Sequence, residues 1–390
     1  MTMVAAGAVA AAADGGRSIA TGGRCDRALP VTPTGLPAPV IVTTSCGRFR
    51  LEQGEVAAYL GPRTLPVPRI AMGYWSDLTW YGFRHGHLLI GRGHRQLWRS
   101  HRRYPATKPV NIGAVVLGAR ELAFTYYAGR RSLLYLARYG AGERPVVRGE
   151  TPLRFFGKDD LVTWRDPSRV LVLRTASGRL ERVLVPHASD VALESRTGGL
   201  VFRTGDRLGV IDAGGVQDLA SLRGLGIKGW PVIEALGKLV AVHDRTRLVV
   251  LARDGGVAAS SALPVSRQPA DGVSSSVAAN ATGTLFAFTA TAGNTAQGSS
   301  GSEAIYLLAA GETQARSVFS ARLDFAVCGR TADLSWRGRW LLYSATEGTA
   351  AVVDGSLEAS PIDLSGTIAR LPGAWSDGGG YFDVAWGGHG

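Results

Sequence analysis

Six arginines and four histidines crowd a short stretch beside two aromatic rings: Arg84, His85, His87, Arg92, His94, Arg95, Arg99, His101, Arg102 and Arg103, with Trp98 and Tyr104. Guanidinium groups next to aromatic rings suit phosphate, carboxylate or sugar surfaces. Imidazoles reinforce anion binding when protonated at mildly acidic pH. The charge is concentrated as well: from Arg84 to Arg148, thirteen basic residues stand against Glu121 and Glu143, which is +11 of the chain's formal +12. Charge localised in this way attracts polyanions, and does so in a salt-dependent manner. The plainer reading is a solvated edge in an arginine-biased protein. Only four of the 43 basic residues are lysine (Lys108, Lys158, Lys228 and Lys238), a bias that points to a bacterial gene from a GC-rich genome and weakens the case that any one arginine was selected for binding.

Other chemistries meet obstacles in the same residues. His85 and His87 lie two apart, which on a strand places both on one face at a spacing that can chelate a metal. No carboxylate or cysteine falls between Asp77 and Glu121 to complete a neutralised site, and the surrounding arginines repel a cation, so no metal is expected. Gly224-Leu225-Gly226-Ile227-Lys228-Gly229 matches the dinucleotide fingerprint, with Asp244 twenty residues after Gly224. Immediately C-terminal to it come Trp230-Pro231 and a short strand, with no helix N-terminus to hold a pyrophosphate, so the match reads as a loop and no cofactor is expected. No Gly-x-Ser-x-Gly elbow, His-Glu-x-x-His helix, Gly-Lys-Ser/Thr phosphate loop or paired Cys-x-x-Cys occurs. Glu194, Glu234 and Asp333 are the carboxylates placed to serve acid/base chemistry near a channel, without a nucleophile or partner base beside them.

The elements that must position these residues are set by a repeat. Leu161-Val162-Thr163 returns as Leu200-Val201-Phe202 and as Leu239-Val240-Ala241, each step being 39 residues, with Leu122-Ala123-Phe124 one step upstream. Looser copies stand at Leu88, Leu285 and Leu341. A period near 40 with several short strands per unit is the mark of propeller blades. In one unit, Pro231–Leu236, Leu239–Val242, Arg247–Leu251 and Val257–Leu263 read as four strands, separated by Gly237-Lys238, Asp244-Arg245-Thr246 and Asp254-Gly255-Gly256. An arginine opens the third strand in four units (Arg131, Arg169, Arg207, Arg247), as a solvated charge that discourages edge pairing. No segment sustains a 3.6-residue apolar period, and 52 glycines punctuate the chain, so helices should be scarce. The fold class is all-β, a single-ring propeller of seven four-stranded blades. It becomes eight if the N-terminal hairpin around Gln53-Gly54 and the strand Tyr381–Trp386 build a shared blade, which would remove the open edge.

Ala332-Asp333-Leu334-Ser335-Trp336-Arg337-Gly338-Arg339-Trp340-Leu341-Leu342-Tyr343 resembles the repeat of TolB-like, WD40-like β-propellers. Glu303–Leu308 resembles the third strand of that repeat and Trp375-Ser376-Asp377-Gly378 its first turn, although the usual proline-aspartate before the glycine is missing from most copies. The resemblance covers roughly residues 75 to 387 at the level of repeats. It implies a binding platform of the kind found in exported envelope proteins and in the non-catalytic half of some peptidases.

The chain divides on this reading into residues 1–24, a signal-like or disordered N-terminus, residues 25–47, a proline-rich arm, and residues 48–390, the propeller. Met1–Ala13 resembles the apolar region of a signal peptide without its basic start, so either the true start lies upstream or the run is a tail. Cys25 and Cys46 flank the arm's prolines, and a disulfide between them would pin it in an exported protein, while Cys328 reads as a buried, inert thiol. No stretch reaches the length of a membrane span. The preferred function is a non-catalytic, exported monomer that binds an anionic polymer or a partner protein at the cell envelope. The alternative is a hydrolase or lyase acting on polysaccharide or peptide at a channel mouth lined by Glu194, Glu234 and Asp333. Nucleic-acid binding ranks behind both, because it requires the protein to stay inside the cell.

Overall fold

A computed structural model describes residues 36–44, 47–52, 55–60, 67–74, 78–104, 111–128, 131–156, 160–165, 168–174, 180–193, 199–212, 215–229, 231–263, 272–293, 300–324, 333–344, 350–354, 369–370 and 382–387. These residues form eight four-stranded antiparallel sheets and no helix. The fold is all-β and of the propeller class. The described residues fall into two compact units, one within Thr64–Asp218 and one within Ile19–Arg63 and Leu219–Gly390.

The first unit holds four sheets, each a meander in chain order. The two that carry the basic stretch are Ala71–Tyr74, Thr79–Arg84, His87–Arg92 and Arg95–Arg103, followed by Asn111–Leu117, Glu121–Ala128, Arg131–Arg138 and Glu143–Arg148. Their facing sides make one core of Leu88, Ile90, Trp98, Tyr104, Ile112, Leu122, Phe124, Tyr135 and Ala137. Phe124 and Tyr135 stack within it, with ring centroids 5.2 Å apart and planes at 5°. The repeat anchors are buried because the middle strands of a blade meet neighbours on both faces. Leu161, Val162 and Thr163, three consecutive residues, are all fully buried. A strand covered on one side only would alternate instead.

In the second unit, the sheet Val232–Leu236, Leu239–His243, Arg247–Ala252 and Val257–Ala262 matches the four strands and three turns expected of that stretch. Another sheet joins the chain's two ends, with Phe382–Trp386 pairing antiparallel to Val40–Thr44 from Thr44↔Phe382 to Val40↔Trp386. The strands Gly47–Glu52 and Glu55–Tyr59 complete it. The shared blade is therefore present, and Val40–Thr44, read from sequence as part of the arm, is one of its strands.

Two details of the repeat differ from expectation. Leu88 sits on the third strand of its blade, whereas Leu122, Leu161, Leu200, Leu239, Leu285 and Leu341 sit on second strands. The strict 39-residue step upstream of Leu122 falls on Phe83, which does lie on a second strand, Thr79–Arg84. Second and third strands are both apolar runs, so composition alone does not separate them. The arginines that open third strands are not on sheet edges either, since the fourth strand forms the edge. Two of them reach across to it instead: Arg207 Nη1 lies 3.0 Å from Asp218 Oδ2, and Arg247 donates to Ser260 Oγ at 2.9 and 3.1 Å.

Candidate anion-binding face

The basic stretch folds as two hairpins. Arg84 pairs with His87, and the two residues between them, His85 and Gly86, have φ of 51° and 79°. Left-handed backbone at both central positions matches the right-handed twist of the strands on either side. His85 thus belongs to a turn and His87 to a strand, so the one-face chelating spacing is not realised. Nδ1 of His87 lies 2.8 Å from the Ser100 carbonyl oxygen and donates to it. Among the described residues no group of three or more His, Cys, Asp or Glu side chains is arranged to hold a metal.

The second hairpin carries Arg92, His94 and Arg95 at the opposite end of the strand His87–Arg92, with Arg92 paired to Arg95. At the rise of an extended chain, that end stands about 17 Å from His87. The ten residues are therefore split. Arg84, His85, His87, His101, Arg102 and Arg103 share one end of the blade, Arg99 lies midway opposite Leu89, and Arg92, His94 and Arg95 lie at the other end.

Where Arg99–Arg103 faces Leu89–His87 the pairing slips, and the strand bulges. A bulge strands backbone groups, and side chains satisfy them here. Buried Ser100 accepts the Leu88 N–H on its hydroxyl oxygen at 2.9 Å and donates that hydroxyl to the Arg102 carbonyl at 2.7 Å. Glu143, on the next blade, accepts the His101 N–H at 3.0 Å on Oε2 and the Arg102 N–H at 3.1 Å on Oε1. Tyr104 donates its hydroxyl to the same carboxylate at 3.5 Å. Burial, with the Glu143 charge as second cause, pushes the Tyr104 phenol far above its ordinary value, so it stays a donor. Trp98 Nε1 ties the two blades again by donating to the Ala141 carbonyl at 2.8 Å.

Both acids of the +11 stretch are thus occupied inside the protein. Glu121, itself buried, accepts from Arg138 Nε at 2.8 Å. Arg102 Nη1 donates to the Tyr135 hydroxyl at 2.9 Å. Arg84, Arg99 and Arg103 are exposed, and no hydrogen bond or ion pair engages their side chains among the described residues. An open cleft of about 390 Å³ lies in the same region, lined by His101, Arg102, Glu143 and Pro145. The role of Glu143 was not read from the sequence. Its partners, the His101 and Arg102 N–H groups and the Tyr104 hydroxyl, meet it only when the two blades pack.

Of the carboxylates of the alternative reading, the two on described strands, Glu234 and Asp333, belong to different sheets. Glu194 lies outside the described residues, as do Cys25, Cys46 and Cys328. Glu234 is mid-strand, with Oε2 accepting the Val277 N–H at 3.0 Å and Oε1 3.5 Å from Nε2 of buried His243. Asp333 opens the strand Asp333–Arg337, two blades further along the chain. Gly224–Gly229 is a loop between Gly215–Ser221 and Val232–Leu236. Asp244, the residue a ribose would need, braces that loop instead. It accepts the N–H groups of Lys228 at 2.6 Å, Thr246 at 2.7 Å and Arg247 at 2.9 Å.

No protein-family model matches this chain, and a search of characterised proteins gave no match. Solved structures similar to it in three dimensions are β-propellers. BamB from Moraxella catarrhalis is 12% identical with a TM-score of 0.41, over 84% of this chain and 94% of its own. The computationally designed Ika8 protein is 12% identical with a TM-score of 0.44, over 83% of this chain and 99% of its own. Kluyveromyces lactis Hsv2 is 12% identical with a TM-score of 0.40, over 71% and 89%. At these identities the likeness is one of fold alone.

Proposed function

We propose that this chain is a non-catalytic, exported propeller of the TolB-like, WD40-like kind that binds an anionic polymer at the bacterial cell envelope. The binding face is the blade of Arg95–Arg103 together with its neighbour. One observation carries the reading: Glu121, one of the two acids of the +11 stretch, is ion-paired to Arg138 and the other, Glu143, accepts the His101 and Arg102 N–H groups, so that among the described residues no acid pairs with the exposed Arg84, Arg99 and Arg103. A solvated edge with no binding role gains nothing from such segregation, because mixed surface charge is better for solubility.

The test is retention of a linear polyanion by purified protein at low salt. Replacing Arg84, Arg99 and Arg103 together with glutamine should weaken binding strongly and make the residual affinity less salt-dependent, because each lost cation removes one counterion-releasing contact. Substituting Arg169, Arg207 and Arg247 in the same way is the control and should do much less. Equal losses in both sets would leave only a compositional charge effect. Retention of a protein from the envelope fraction, with no polyanion bound, would favour the partner-protein form of the reading.

A further inference from the structure

We infer that the cleft lined by His101, Arg102, Glu143 and Pro145 recognises the sugar rings of an acidic glycan, a polymer carrying hydroxyl donors as well as carboxylates. The inference rests on the anion-binding reading and narrows its ligand. A cleft of about 390 Å³ falls in the roughly 300–1,000 Å³ range of small-molecule sites. Its lining is mixed. His101 and the exposed Arg102 supply cationic and donor groups for a carboxylate. Pro145 supplies an exposed apolar surface for the C–H face of a sugar ring.

Glu143 makes the distinction between polymers. Its Oε2 accepts one bond, from His101 N–H, and a carboxylate oxygen has room for two. An acceptor held rigidly at a cleft wall is matched by a hydroxyl donor and repels a phosphate chain, which brings acceptors only. The His101 ring is set against the adjoining turn by a glycine. A Cβ at Gly142 would come within 2.8 Å of Nδ1, 3.1 Å of Cγ and 3.3 Å of Cβ of His101. Gly142 is not among the positive-φ residues, so alanine is allowed by the backbone there and its effect falls on the His101 ring.

Two probes separate this inference from the reading beneath it: polygalacturonate, a polyuronate, and linear polyphosphate of matched charge. The full chain should bind both, through the exposed arginines. Glu143→Gln should weaken polygalacturonate by about tenfold, the effect of one hydrogen bond to a charged group. The same variant should hold polyphosphate at least as well, since it removes a negative charge. Gly142→Ala should weaken polygalacturonate alone, and it decides the matter if Glu143→Gln melts early through loss of the bulge. Unchanged ratios of the two affinities in both variants would overturn the inference and leave general anion binding standing. Absence of binding to either probe by the unaltered protein would overturn both.

Discussion

At the scale of single residues, Glu150 is the most constrained charge among the described residues of the first unit. It is fully buried at the start of Glu150–Phe156, and its carboxylate takes bonds from Arg174 at 2.6 and 2.7 Å, Thr163 at 2.6 Å and Arg165 at 2.9 Å. Burial alone would raise its pKa, but the hydrogen bonds from Arg174, Thr163 and Arg165 outweigh it and hold the group below its ordinary value of 4.5. A carboxyl with a depressed folded pKa stabilises the fold fully above the unfolded value, and that contribution is lost as pH falls through the folded one. Acid titration of Glu150→Gln should therefore show a flatter loss of stability below pH 4.5 than the parent, measured by thermal melts across pH. Glu150→Ala strands Arg174, whose side chain is 5% exposed, and should cost about 3–5 kcal/mol in denaturant unfolding. A cost within about 0.5 kcal/mol would mean that water replaces the carboxylate. This network could not be read from the sequence, because Glu150, Thr163, Arg165 and Arg174 meet only when three strands pair.

At the scale of an element, the bulge in Arg95–Arg103 depends on Ser100. Its hydroxyl stands in for a missing ladder partner, and Ser100→Ala leaves the Leu88 N–H buried and unpaired. The expected loss is about 1–3 kcal/mol, read as a lower denaturant midpoint at unchanged slope. If polyanion binding drops with it at temperatures where the fold is intact, the bulge also sets the spacing of Arg99 and Arg103. The strands of this blade were legible as apolar runs of the repeat, but their order was not, since the anchor Leu88 lies on the third strand and not the second. Nor was the bulge, because nothing local marks where two paired strands slip. That slip decides which of the ten basic residues share an end of the blade.

At the scale of the whole molecule, the shared blade couples the chain's ends. Removing residues 372–390 takes away Phe382–Trp386 and leaves the Val40–Thr44 edge without its partner. Unpaired strand edges recruit other chains. The truncated protein should melt earlier and elute as aggregates, and a monomer with an unchanged melting temperature would show that the pairing contributes little. If the protein is exported, mass mapping of the unreduced chain should find Cys25 joined to Cys46 and Cys328 free. A bridge to Cys328 would place the arm elsewhere. Both segments are read from the sequence, and those cysteines lie outside the described residues.

The sequence by itself determined the all-β class and the four-stranded repeat, and left open whether the N- and C-terminal strands share a blade, which their pairing settles. The class and the repeat come from local period and turn residues, which any chain with this pattern must meet. It also showed that nearly all the net charge lies between Arg84 and Arg148. Only the tertiary structure decided which of those charges act together. Separation along a strand, a slipped register and a carboxylate reaching over from the next blade are properties of paired and packed elements. The spacing of residues along one chain does not contain them.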